Sequence, residues 1–232
     1  MATNTQKGSL PDFALQMVNQ GRMMLEYVTE RVEQGNPANL LDTADQYCYE
    51  FDRKMMHVGD KKGAIVRKII QDLAPMTCLE LGTYCGYSAV LMASVLPKGS
   101  RFLTVEPSKG NVENAEKFIQ LAGADVSEKV KIINKQSDEV IPSLQSDYSV
   151  DTLDFVFIDH WKNLYVRDIQ LLETHGLLRK GTVILADNII YPGAPEYLEY
   201  VKGSEKYDTE VIVSTLEYSD REDALAKSVY LG

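Results

Sequence analysis

The sequence predicts an α/β fold in which a mostly parallel sheet carries helices on both faces, after a helical front end and before an antiparallel edge at the C-terminus. Three observations lead there. From residue 77, five short apolar runs, TCLEL, RFLTVE, KVKII, DFVFID and GTVILAD, alternate with helical segments, the texture of strands buried on both faces. Ahead of them, apolar side chains recur at helical spacing only. Behind them, TEVIVST and AKSVYLG follow one another with just a loop between, which suits an antiparallel pair.

In chain order, residues 1–10 are polar and read as a mobile N-terminal segment, and 11–232 as one domain, with the helical front end over 11–75 and the sheet core over 76–232. Leu15, Val18, Leu25, Val28 and Val32 line one face of a first helix from Pro11-Asp12 to about Val32. Asn36-Pro37 opens a second helix reaching about Phe51, and Gly59-Asp60 a third, with Asp60 as its cap. The strands follow, and a helix after Pro195 runs to about Val201 ahead of the antiparallel pair.

Composition bounds the function. The chain has 232 residues, 24 Lys plus Arg against 34 Asp plus Glu, a net charge of −10 and 44% apolar residues, which fits a globular domain and excludes wholesale disorder. Basic residues cluster no more densely than Lys61-Lys62 or Arg179-Lys180, so neither nucleic acid nor a large anionic substrate is an expected partner. The N-terminal MATNTQKGSLPDF lacks a signal peptide's apolar core, and no stretch approaches the roughly 18 apolar residues of a membrane span. Cys48, Cys78 and Cys85 cannot all pair within one chain and form no C-x-x-C, which fits a reducing compartment; the expected location is cytoplasmic, with no membrane partner.

Four of the predicted strands end at or near a carboxylate: Glu80, Glu106, Asp159 and Asp187. In an open parallel sheet these ends share one rim, and ligands bind outside that rim where the strand order reverses. Any one acid reads most simply as a cap or a solvated charge; four at equivalent places read as a site. After the first strand comes ELGTYCGYS, in which Gly82 and Gly86 allow a tight turn but the G-x-G-x-x-G of a pyrophosphate cradle is missing and Tyr84 fills the space between. Glu106, at the end of the next strand, suits both hydroxyls of a ribose and would repel a ribose phosphate. S-adenosylmethionine, an adenosine without phosphates, satisfies both constraints, though a dehydrogenase with an atypical loop would look similar.

Asp159-His160-Trp161-Lys162 and Asp187-Asn188 end neighbouring strands. Two carboxylates and an amide oxygen make a sparse hard-oxygen site of the kind magnesium completes with water and substrate oxygens. His160 has no second His or Cys at zinc spacing, so packing or cofactor stacking suits it better than ligation. Lys162 is either a solvated lysine or, beside a bound cation that disfavours its charged form, a general base. Trp161, the single tryptophan, is either a core anchor or a stacking surface for adenine or the substrate mouth.

Taken together, GDKKG at 59–63, ELGTYCGYSAV from Glu80, VDTLDFVFIDHWK ending at Lys162, GLLRKGTVILADN ending at Asn188, PGAP at 192–195 and LEY at 216–218 resemble the catechol O-methyltransferase family, from about residue 40 to the C-terminus. The resemblance implies a Rossmann-like class I methyltransferase that uses S-adenosylmethionine and magnesium to methylate one hydroxyl of a small-molecule catechol. By motif position it assigns Asp159, Asp187 and Asn188 to the metal, with Asn188 also at the substrate, Lys162 as general base and Glu217 to the second catechol hydroxyl. Met56, Val58, Gly82, Tyr84, Ser88, Glu106, Ser137, Asp138, His160 and Trp161 fall to the cofactor. A catechol chelating the metal would ionise more readily than a free phenol, whose pKa is about 10, and attack on the sulfonium would neutralise opposite charges in a site that excludes water.

The sequence also departs from that family. Lys54 stands in place of a tryptophan wall over the substrate, Tyr191 precedes Pro192 in place of a smaller side chain, and Asp138 replaces a glutamine near the adenine. Lys54, Tyr191 and Pro192 therefore bear on substrate range, and Lys54 would favour a carboxylated catechol. Three other readings compete. A nicotinamide-dependent dehydrogenase accounts for Glu106 but not for Asp159 with Asp187-Asn188. A cation-dependent methyltransferase of phenylpropanoid thioesters shares the chemistry, yet the acidic composition disfavours a coenzyme A substrate. A catalytically silent binding protein on the same fold has no need of Lys162 beside three metal-competent side chains.

Overall fold

The computed structural model describes residues 10–53 and 55–232. The expected mobile segment lies outside the described residues except for its last position, which opens the first helix. Helix α1 (Leu10–Thr29) buries Met24, Leu25 and Val28 and ends before Val32, whose N–H still bonds the Val28 carbonyl in a closing turn. Helix α2 (Pro37–Glu50) begins as its sequence dictates: Pro37 needs no N–H partner, and the Asn36 side chain accepts from Asn39 N at 3.1 Å. Helix α3 (Gly59–Leu73) corrects one expectation, because Val58 occupies the cap and Asp60 sits inside the first turn. There its charge still favours the helix N-terminus, and it accepts from Lys61 N and Tyr49 Oη.

The sheet core continues with β1 (Thr77–Leu81), α4 (Tyr87–Ala93), β2 (Arg101–Val105), α5 (Lys109–Leu121), α6 (Ala124–Ser127), β3 (Val130–Ile133), α7 (Ser137–Val140), α8 (Leu144–Tyr148) and β4 (Leu153–Ile158). It ends with α9 (Tyr165–Thr174), β5 (Leu178–Ala186), α10 (Pro195–Gly203), β6 (Tyr207–Thr215) and β7 (Glu222–Tyr230). Among the described residues, seven strands form one sheet in the order β3-β2-β1-β4-β5-β7-β6. The first five are mutually parallel, and β7 runs antiparallel to both β5 and β6. The C-terminal pair is therefore the antiparallel edge the sequence predicts, with the last strand inserted inside β6.

Strand alternation divides the apolar residues into two cores. Cys78, Phe102, Phe155, Phe157, Val183 and Leu185 face the layer of α1 to α5, while Leu79, Leu103, Val156, Ile158 and Ile184 face that of α7 to α10. Each fully buried phenylalanine or leucine contributes about 1.5–3 kcal/mol, which explains why these strands read as continuous apolar runs.

The strand order reverses between β1 and β4, and there the two backbones touch. A Cβ built on Gly82 would lie 2.3 Å from the Asp159 carbonyl oxygen, and its φ of +106° is one that L side chains rarely adopt. Only glycine fits. The loop after β1 is thereby fastened to the loop after β4 at the point where open α/β sheets bind ligands. No helix among the described residues is long and apolar enough to cross a membrane.

Candidate active site

The β1–β2 side of the rim is built from backbone. Gly82 and Gly86 both have positive φ, and between them Tyr84 turns at φ +48° with its ring buried and its hydroxyl 3.4 Å from the Met17 carbonyl of α1. The amides of Tyr84 and Ser108 each donate to Glu106 at 2.9 Å, one to each carboxylate oxygen. Burial raises the Glu106 carboxyl, and those two amides oppose it. Ser88 is buried at the start of α4, and Glu80 accepts from Thr104 at 2.5 Å.

Glu80 is a rim acid that the sequence reading leaves without a role. It is fully buried, burial pushes its pKa up to about 8, and its Oε1 has no hydrogen-bond partner. An enclosed carboxyl oxygen with nothing to accept from is suited to a ligand's cationic donor, whose charge would favour the ionised form that burial disfavours.

The adenine candidates meet at α7 and α9. His160 stacks on Tyr165 at 5.3 Å, with its Nε2 2.7 Å from Asp168 Oδ2 and its buried Nδ1 unpartnered. Arg167, unforeseen from the sequence, donates to Ser137 Oγ at 2.7 Å, to Asp138 Oδ2 at 2.9 Å and to Asp168 Oδ1 at 2.7 Å. One guanidinium thus holds two predicted contacts, Ser137 and Asp138, directly and a third, His160, through Asp168. Trp161 is no core anchor: it is half-exposed and lies 5.9 Å from the Phe13 ring of α1. Met56 is also half-exposed, whereas Val58 is buried at the cap of α3.

The β4–β5 side is built from charge. Lys162 Nζ reaches Tyr165 Oη at 2.6 Å, Asn188 Oδ1 at 2.9 Å and Asp159 Oδ1 at 3.2 Å, uniting the predicted base with two predicted metal ligands. Asn188 turns at φ +55°, and its own N–H donates to Asp187 Oδ1 at 2.7 Å. Asp187 is fully buried; burial raises its carboxyl, the Lys62 charge opposes that, and its Oδ2 has no partner. The unpaired buried oxygen, the Asp159 carboxylate and the Asn188 amide oxygen are donors a magnesium ion accepts.

Glu217 joins this side from the turn between β6 and β7, where Asn188 Nδ2 donates to its Oε1 at 3.2 Å. Gly59 explains part of GDKKG: a Cβ there would come within 3.2 Å of the Glu217 side chain. Tyr191 and Pro192 are exposed beside the rim, and the Arg221 guanidinium lies 3.3 Å from the Tyr191 ring centroid. Lys54 lies outside the described residues. Two cavities away from the rim, of about 460 Å³ beside β3 and about 310 Å³ beside α6, include none of these residues.

The sequence matches the family model described as O-methyltransferase over residues 34–213. The chain belongs to the O-methyltransferase family. This methyltransferase is 45% identical over 209 residues to the catechol O-methyltransferase of Bos taurus, covering 90% of this chain and 76% of that one. It is 46% identical over 209 residues to the catechol O-methyltransferase of Mus musculus, covering 90% and 78%. Among solved structures, the O-methyltransferase TomG of Streptomyces achromogenes, in complex with SAM, superposes at a TM-score of 0.72 with 21% identity, covering 91% of the methyltransferase and 96% of TomG. That likeness bears on the fold, which is the expected class I arrangement.

Proposed function

We propose that this chain transfers a methyl group from S-adenosylmethionine to one hydroxyl of a catechol, with magnesium at Asp159, Asp187 and Asn188. The observation that carries the proposal is Lys162 Nζ set between Asp159 and Asn188, on the rim that also holds the unpaired Asp187 Oδ2. The similarity to catechol O-methyltransferases over most of the chain supports the substrate class.

When bound, the metal supplies positive charge that favours an ionised catechol oxygen, and the cofactor supplies the methyl group and departs as a neutral thioether. Lys162 Nζ takes the proton of the attacking hydroxyl. Tyr165 Oη, 2.6 Å from that nitrogen, and Asn188 fix its position. Glu217 accepts from the second hydroxyl and so determines which oxygen faces the methyl group. Glu106 takes the ribose hydroxyls, and Glu80 offers its unpaired oxygen to the cofactor's ammonium. His160, Trp161, Ser137 and Asp138 surround the adenine, with Met56, Val58, Gly82, Tyr84 and Ser88 around the remainder. The rim contributes orientation above all, because sulfonium and oxygen must meet in line. Three buried free thiols, Cys48, Cys78 and Cys85, favour a reducing compartment such as the cytoplasm.

The test incubates the protein with S-adenosylmethionine and 3,4-dihydroxybenzoate, with magnesium or with a chelator, and separates the products. Methylated product that appears with magnesium and vanishes with the chelator is expected. No product from several catechols, or chelator-insensitive product, refutes the proposal.

A further inference from the structure

Asp187, Glu217 and Asp223 bring three carboxylates together, with ligand atoms within 4.8 Å of one another. A cation already sits among them. Lys62 Nζ lies 2.6 Å from Asp187 Oδ1, 2.5 Å from Glu217 Oε1 and 2.8 Å from Asp223 Oδ2. Its side chain is fully enclosed, in contrast to its exposed neighbour Lys61. Burying an ammonium costs several kcal/mol unless partners offset it, and here three carboxylates do so.

The partners are themselves fixed. Asp223 is fully buried, its Oδ1 accepts from Ile190 N at 3.2 Å and Tyr191 N at 3.0 Å, and its Oδ2 accepts from Asn188 Nδ2 at 2.9 Å. Asp223 is thus an anchor for the ammonium. Asp187 Oδ1 is taken by Lys62 and by Asn188 N, so Oδ2 is the oxygen left unpaired. Glu217 Oε1 is taken by Lys62 and by Asn188 Nδ2. One side chain on α3 therefore sets the direction of two acids on other elements.

We propose that Lys62 is a positioning residue for methyl transfer: it holds Asp187 and Glu217 through one oxygen each, fixing how Asp187 presents Oδ2 to the cation and how Glu217 faces the substrate. This rests on the catechol reading for the part played by Glu217, but the Asp187 part can be read from metal binding alone. It also gives GDKKG a physical meaning. Gly59 admits Glu217 against the start of α3, and Lys62, one turn later, grips it.

The test compares D223N with the double variant K62M/D223N. Lys62→Met alone strands three buried acids and risks unfolding; the double variant removes one charge of each sign, and a thermal melt checks that it folds. Mn2+ alone is titrated by electron paramagnetic resonance, and the two monomethyl products of 3,4-dihydroxybenzoate are then quantified. Losing an outer partner of a metal ligand costs about 10–100-fold in metal affinity, so the Mn2+ dissociation constant is expected to rise at least about tenfold over D223N. The product ratio is expected to move towards equality. An Mn2+ affinity within twofold of D223N, or tighter than D223N as loss of a nearby positive charge alone would make it, overturns the proposal, and an unchanged product ratio overturns its Glu217 half. A wild type that methylates no catechol sinks the catechol reading, while the Mn2+ titration still judges Lys62.

Discussion

The two sides of the rim are held by different forces. Around β1 and β2 the site is fixed by backbone: Gly82 against the Asp159 carbonyl, and two amides on Glu106. Around β4, β5 and the β6–β7 turn it is fixed by side-chain charge, Lys62 reaching Asp187 across 125 positions and Asp223 across 161. A backbone cradle tolerates few substitutions, whereas a charge network depends on the presence of every member. That division suits the proposed chemistry. A cofactor common to many reactions needs a fixed shape, and an ionising substrate needs a tuned field.

The contrast can be broken most severely at Gly82. Gly82→Ala drives a Cβ into backbone on both loops, and the expected loss is more than about 4 kcal/mol, the range reserved for such clashes. At about 2–4 °C per kcal/mol, the melting temperature should fall by roughly 10 °C or more. A melting temperature within a few degrees of wild type would show that the two loops can separate.

A smaller effect is expected at Arg167, where charge enters the cofactor side. Arg167→Met removes the shared donor of Ser137, Asp138 and Asp168. Hydrogen bonds to charged groups contribute about 1.5–3 kcal/mol, and partial exposure of the pair reduces that, so the S-adenosylmethionine dissociation constant should rise about tenfold with kcat nearly unchanged. Isothermal titration with steady-state kinetics would check this; a fall in kcat alone would move Arg167 to the other side of the comparison.

The smallest effect joins the two sides. Asp45 accepts from Tyr87 of α4 at 2.8 Å and from Tyr218, next to Glu217, at 2.6 Å. Burial, with lesser contributions from Asp60 and Asp42, raises its pKa from 3.8 to about 6 against the two tyrosine hydrogen bonds. The folded state therefore binds this proton more tightly than the unfolded chain, and the stabilisation is complete below about pH 3.8 and lost as pH rises through about 6. Asp45→Asn keeps an acceptor and cannot ionise. Its melting temperature should gain about 2–4 °C on the wild type between pH 5 and 6, the shift of about 1 kcal/mol in a domain of this size. A constant difference across that range would contradict the assignment.

The same division explains what the sequence discloses. Strands buried on both faces are continuous apolar runs, so β1 to β5 are legible to within a few residues, and Asn36-Pro37 announces α2. Gly82 and Glu106 are legible because each directly follows an apolar strand, the glycine one residue after β1 and the acid one residue after β2. Asp60 misleads because an acid one position inside a helix reads like an acid at its cap. Lys62 and Arg167 are opaque for a different reason: a lysine or arginine on a helix is ordinarily solvated, and only the fold brings Asp187, Glu217 and Asp223 to Lys62 and Asp138 to Arg167. The signal for Lys62 is its place in GDKKG, three residues after a glycine whose φ of +67° disfavours a side chain.

If the sides are separable, a change confined to the charged side leaves cofactor binding intact. Lys162→Ala is that change, because Lys162 contacts Tyr165, Asn188 and Asp159 and no predicted cofactor residue among its hydrogen bonds. Its S-adenosylmethionine affinity, measured by isothermal titration, should stay within about threefold of wild type, while kcat on 3,4-dihydroxybenzoate falls by about 10²–10⁴-fold, the contribution typical of a general base. Retained turnover, or loss of cofactor affinity in step with turnover, would contradict the account.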